Sequence, residues 1–135
     1  MNRNPKILLI DDDPDFVQVT CRVLQSRPYQ VVVAIDGADG LRKMRAEKPD
    51  LVLLDIMMPE KDGFIVADEI SRDPVISSIP ILALTSFSES LGQPFPFKVS
   101  EYLQKTIEPD ALLGKIEKHL NPPKNAVLTD PDWRP

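Results

Sequence analysis

The chain has 135 residues, which fits one domain of ordinary size and leaves little room for a second. With 42% hydrophobic and 27% charged residues it is too apolar for a disordered chain. Its 21 acidic and 16 basic side chains give a formal net charge of -5, which argues against the basic footprint of direct nucleic-acid binding. The single cysteine, Cys21, excludes an intramolecular disulfide. No apolar run approaches the ~18 residues of a membrane span, and Met1 to Lys6 lacks the apolar core of a signal peptide, so a cytoplasmic protein without membrane insertion is expected. Proline is the compositional outlier: 14 residues, about twice the usual ~5% share.

Lys6 to Asp11 (KILLID) predicts a first strand, and Asp13-Pro14 supplies a helix N-cap followed by proline at the first helical position. Phe16, Val19, Thr20, Val23 and Leu24 then recur at helical spacing until Pro28. Cys21 falls inside this helix, where a small packed side chain is expected. Tyr29 to Ile35 is a β-branched strand. Asp36-Gly37 turns the chain into a second helix carrying Ala38, Leu41, Met44 and Arg45 on one side, and Pro49-Asp50 ends that unit.

Leu51 to Leu54 (LVLL) is continuously apolar, the mark of a central parallel strand covered on both faces, and Asp55 ends it. After a turn through Asp62-Gly63, a helix is expected from about Phe64 to Arg72. Pro80 introduces the strand Ile81 to Thr85, Glu101 to Gln104 forms a weaker fifth strand ending at Lys105, and Pro109 opens a last helix through Leu112, Leu113, Ile116 and Leu120. Strands alternating with helices specify an α/β fold: a doubly wound five-stranded parallel sheet with helices on both faces. The domain is expected over 1–121, with 122–135 a proline-rich tail or linker in which Trp133 is the only tryptophan. The chain is either a stand-alone domain or a piece of a longer protein.

Ligands of such sheets bind beyond the carboxyl ends of the strands. Asp11, Asp12 and Asp13 follow the first strand, Asp55 ends the third, Thr85 the fourth, and Lys105 follows the fifth, so side-by-side strands would bring them to one pocket. Clustered carboxylates repel one another unless a cation joins them, and Mg²⁺ is the natural candidate for hard oxygen ligands. A carboxylate nucleophile attacking a phosphoryl donor needs such a cation, a positive side chain and a hydroxyl, roles open to Lys105 and Thr85 with Asp55 as the nucleophile.

The ordered motifs LLIDDDPDF (8–16), LVLLDIMMPEKDG (51–63), ILALTS (81–86) and EYLQK (101–105) resemble the response-regulator receiver family of two-component signalling, over roughly Lys6 to Leu120. The resemblance implies a flavodoxin-like receiver in which Asp11 and Asp12 are the acidic pair, Asp12 the more direct Mg²⁺ ligand. It also implies that Asp55 is the phosphoacceptor and that Met57 lends a backbone carbonyl to the metal. Thr85 would be the hydroxyl that follows the phosphoryl group, Lys105 the family lysine, and Tyr102 the aromatic switch residue working with Thr85. The implied partners are a sensor histidine kinase or phosphotransfer protein and an unknown downstream protein. The receiver would catalyse only its own phosphorylation and dephosphorylation.

Two departures stand out. Thr106 follows Lys105 where the family usually has a cis proline, so this loop is expected to be strained or differently shaped. Gly92, Pro94 and Pro96 interrupt the segment where the family carries its fourth helix, which is expected to be truncated, displaced or absent. Met57 and Phe87 are apolar where polar side chains can place a hydrolytic water, which predicts slow autodephosphorylation. Met57 also argues against an aspartyl-phosphate hydrolase, which typically needs a second carboxylate there. The remaining alternative is an unphosphorylated pseudo-receiver used as a binding module. His119, in the last helical turn, is expected to complement the helix dipole.

Overall fold

The computed structural model describes residues 4–56, 63–86 and 99–120. The elements run β1 (Lys6–Ile10), α1 (Pro14–Gln25), β2 (Gln30–Ala34), α2 (Gly37–Glu47), β3 (Leu51–Asp55), α3 (Gly63–Ser71), β4 (Ile81–Thr85), β5 (Glu101–Gln104) and α4 (Pro109–Leu120). All strand pairs are parallel, in the order β2-β1-β3-β4-β5. This is the doubly wound α/β sheet expected from the apolar runs and their intervening helices. The expected atypical fourth-helix region and the 122–135 tail, including Trp133, lie outside the described residues.

The inner strands β1, β3 and β4 bury both faces, as their unbroken apolar sequence requires, while the edge strands β2 and β5 are only partly buried. Alternate side chains divide between two cores. Leu8, Ile10, Val52, Leu54 and Ala83 pack with Leu41 and Met44 of α2 and with Val66 and Ile70 of α3. Ile7, Leu9, Leu53, Leu82 and Leu84 pack with Leu24 of α1 and with Leu112, Leu113 and Ile116 of α4.

Helix starts follow the local chemistry. Asp13 accepts from the backbone N–H groups of Asp15 (3.1 Å) and Phe16 (3.4 Å) at the N-terminus of α1, as its N-cap reading predicts. Asp36 does the same for α2, accepting from Asp39 N at 2.8 Å. The helix faces are turned from where residue spacing put them. In α1, Val19 is 57% exposed, whereas Val17 and Cys21 pack on the core beside Phe16, Val23 and the buried Thr20 and Leu24. In α2 the buried stripe is Gly37, Gly40, Leu41 and Met44, leaving Ala38 and Arg45 exposed. Gly40 sits close against β1: a Cβ there would lie 2.6 Å from Ile10 Cδ1, so a larger residue would require the buried Ile10 side chain to shift. Arg45 instead reaches across to Asp73, at 2.9 Å.

Candidate functional site

Strand register decides which residues meet. Ile10 pairs with Leu54, so the next residues, Asp11 and Asp55, emerge together at the carboxyl ends of β1 and β3. Asp55 pairs with Leu84, one residue before Thr85, and Thr85 pairs with Gln104, one residue before Lys105. Backbone bonds tie the ends down: Asp11 N donates to Ala34 O (3.0 Å), Ile56 N to Leu84 O (3.1 Å) and Lys105 N to Thr85 O (2.8 Å). The result is a staggered rim on which Asp11, Asp55 and Thr85 are buried while Asp12 is exposed.

The side chains converge. The carboxylates of Asp11, Asp12 and Asp55 offer oxygens that all lie within 4.8 Å of one another. Lys105 Nζ sits 2.8 Å from Asp11 Oδ2 and 3.3 Å from Asp55 Oδ2, with its side chain 14% exposed. The other oxygen of Asp11 accepts from the backbone N–H of Asp13 at 2.9 Å, bracing the loop that carries Asp12. Lys105 Nζ also lies 4.7 Å from the centroid of the Phe16 ring.

Burial pushes the Asp11 carboxyl above its ordinary range, and Asp55 adds to the push, although Lys105 and the Asp13 amide oppose both. Burial alone would lower the Lys105 ammonium, but the two carboxylates outweigh it and hold its pKa above the usual value. Among the described residues, Lys105 is the one cation paired within this group of three carboxylates, and it meets two of them, Asp11 and Asp55. The cluster is short of positive charge, and all its donors are hard oxygens, so the residues fit Mg²⁺.

Thr85 adjoins the cluster through the register but belongs to a wholly buried strand. Tyr102, three residues before Lys105, is half-buried and packs on the core that faces α2 and α3, away from the α1 and α4 core to which Leu103 points. Met57 and Phe87 lie outside the described residues, as does Asp62. The Lys105–Thr106 peptide is trans, like every peptide among the described residues, so this loop is differently shaped rather than cis.

Two features escaped the sequence reading. Phe16 was legible only as a core position, because its contact with Lys105 spans 89 residues and depends on the sheet order. Glu101, at the start of β5, holds Lys115 (2.5 Å), Lys118 (3.7 Å) and His119 (2.9 Å), so His119 serves this carboxylate as well as sitting at a helix end. The spacing of 115, 118 and 119 along one helix face was the available signal.

Comparisons with known proteins agree with this fold. Residues 7–117 match the response regulator receiver domain. Protein PilH of Pseudomonas aeruginosa is 32% identical over 125 residues, covering 91% of this chain and 97% of that protein. The DNA-binding dual master transcriptional regulator RpaA of Synechocystis is 34% identical over 114 residues, covering 83% of this chain and 47% of its own length. The chain thus spans nearly all of one relative and about half of the other. Among solved structures, the chemotaxis protein CheY4 of Vibrio cholerae superposes with a TM-score of 0.78 at 26% identity, covering 86% of this chain and 98% of that one. A CheY-like receiver domain protein from Methanospirillum hungatei gives 0.79 at 25% identity, covering 87% and 94%. Among the described residues no helix is long and apolar enough to cross a membrane. The chain therefore belongs to the response regulator receiver family of two-component signalling.

Proposed function

We propose that the chain is a phosphoacceptor receiver in which Asp55 takes a phosphoryl group from the phosphohistidine of a sensor kinase or phosphotransfer protein. The observation that carries this reading is the positively underserved cluster of buried Asp11 and Asp55 with exposed Asp12, and Lys105 at its side. An Asp55 carboxylate oxygen attacks phosphorus, forming the P–O bond of an acyl phosphate as the P–N bond to the imidazole breaks and the nitrogen keeps the electron pair. Lys105 faces the same carboxylate and offsets negative charge on the transferred group. Asp11 and Asp12, with Asp55, would hold Mg²⁺, and the Met57 carbonyl would complete its protein ligands. The ion supplies further charge neutralisation on the phosphoryl oxygens. Thr85 follows the phosphoryl group and, with Tyr102, shifts a protein-binding surface between two states.

Receiver domains exchange signals with histidine kinases or phosphotransfer proteins, and the same class of partner is proposed here, with the downstream protein left open. The receiver is proposed to run over 1–121, with 122–135 as a tail. Incubation with a small phosphodonor and Mg²⁺, followed by intact-mass measurement, tests the reading. The wild type gains one labile phosphoryl group and Asp55→Asn gains none. A wild type without an adduct would instead make the chain a pseudo-receiver.

A further inference from the structure

A lysine ammonium on a flexible four-carbon stem is a poor positioning device unless its surroundings confine it. Among the described residues Lys105 meets three groups: the carboxylates of Asp11 and Asp55, and the ring of Phe16 with its centroid 4.7 Å from Nζ. That distance is inside the ~6 Å reach of a cation–π contact, and such contacts strengthen where water is excluded, as around a side chain only 14% exposed. The ring itself is anchored. Phe16 lies in the first turn of α1, its backbone N–H is capped by Asp13, and its side chain packs on the α1 and α4 core. Asp13 thus sets the helix start, the helix start sets the ring, and the ring borders the ammonium.

We propose that Phe16 is a positioning residue for phosphotransfer: its ring face confines the Lys105 ammonium beside Asp55, where leucine would fill space without attracting a cation. This inference rests on the reading of Asp55 as phosphoacceptor. The ammonium already lies nearer Asp11 (2.8 Å) than Asp55 (3.3 Å), and two carboxylates alone would leave it free to move further from Asp55 and to draw in water. The ring attracts the cation yet offers it no oxygen to bind, so it limits that movement without competing with the transferred group. Because Phe16 offers the metal no ligand, its replacement should spare Mg²⁺ binding.

The test uses the full chain with acetyl phosphate as donor. Phe16→Leu should lower the phosphorylation rate constant about threefold to tenfold, and Phe16→Tyr should restore it to within about twofold. Mg²⁺ affinity, followed by amide NMR titration, should stay within about twofold in both, since neither ring nor leucine offers a hard cation a carboxylate ligand. The ε-methylene protons of Lys105 should be shifted upfield by the ring current in wild type and Phe16→Tyr, and should lose that shift in Phe16→Leu. Phe16→Met is a second non-aromatic variant should Phe16→Leu fold poorly. Wild-type rates in folded Phe16→Leu or Phe16→Met would overturn the role of Phe16 while leaving the phosphoacceptor reading intact. A Phe16→Tyr as slow as Phe16→Leu despite a preserved ring-current shift would also overturn it. A wild type that accepts no phosphoryl group would instead remove the phosphoacceptor reading, and this inference with it.

Discussion

At the start of β5, Glu101 faces Lys115 at 2.5 Å, His119 at 2.9 Å and Lys118 at 3.7 Å, whereas just past the other end of the strand Lys105 faces Asp11 at 2.8 Å and Asp55 at 3.3 Å. One cluster sets a single carboxylate among cations; the other sets a single cation among carboxylates. The difference appears in their proton affinities. Burial would raise the Glu101 carboxyl, but His119 and Lys115 outweigh it and hold it down to about 2. Burial and Asp55 push Asp11 the other way. The Glu101 cluster is electrostatically complete and fastens β5 to α4. The Asp11 cluster is incomplete, which suits the divalent ion and incoming phosphoryl group proposed for it.

The largest effect on stability should come from Lys105→Met, which strips the acid-rich end of its cation and leaves Asp11 buried without compensation. Removing one partner of a buried pair costs about 3–5 kcal/mol, readable in urea unfolding with chelator present. A loss below about 1 kcal/mol would mean that water already compensates the cluster. Next is Glu101→Gln, expected to cost about 1–2 kcal/mol at neutral pH after allowance for a side chain 23% exposed. The folded-state value of Glu101 lies below its unfolded value of 4.5, so its contribution is complete above about pH 4.5 and disappears as pH falls toward about 2. An unfolding series across that window should show the loss in wild type and a flatter profile in Glu101→Gln.

The smallest change should be Asp11→Asn without metal, where removing an acid from the acid-rich end shifts stability by less than about 1 kcal/mol in either direction. The sign of its pH dependence is reversed. The raised Asp11 value means that its proton favours the fold at low pH and that this advantage is lost as pH rises through the folded-state value. The same substitution should abolish the stabilisation by Mg²⁺, which in wild type should reach about 1–2 kcal/mol at ten to thirty times Kd. Equal Mg²⁺ stabilisation in wild type and Asp11→Asn would break the contrast between the two ends of β5.

Much of this was legible along the chain because it is local chemistry. Apolar runs mark β1 and β3, Asp13-Pro14 and Asp36-Gly37 mark helix starts, and Asp11, Asp12, Asp55, Thr85 and Lys105 mark strand ends. What escaped is relational. Residue spacing identified α1 as amphipathic but placed Val19 inward; helix rotation depends on how the sheet beneath is shaped, and Val17 packs there beside Cys21, whose packed position was legible. Pro49-Asp50 does end the α2 unit, but the cap just before it, Lys48 in a left-handed conformation (φ 47), carries no sequence signal, since glycine is the usual residue there. Glu101 and Phe16 act across 14 to 89 residues of chain, and only sheet order brings their partners to them.

The most direct measurement is to trap the phosphorylated protein by borohydride reduction, which converts an aspartyl phosphate to homoserine, and to map the product by peptide sequencing. Homoserine at position 55, formed only when phosphodonor and Mg²⁺ are both present, is the predicted result. Modification at Asp11 or Asp12, a phosphoryl group carried by His119, or an unmodified Asp55 would contradict the account.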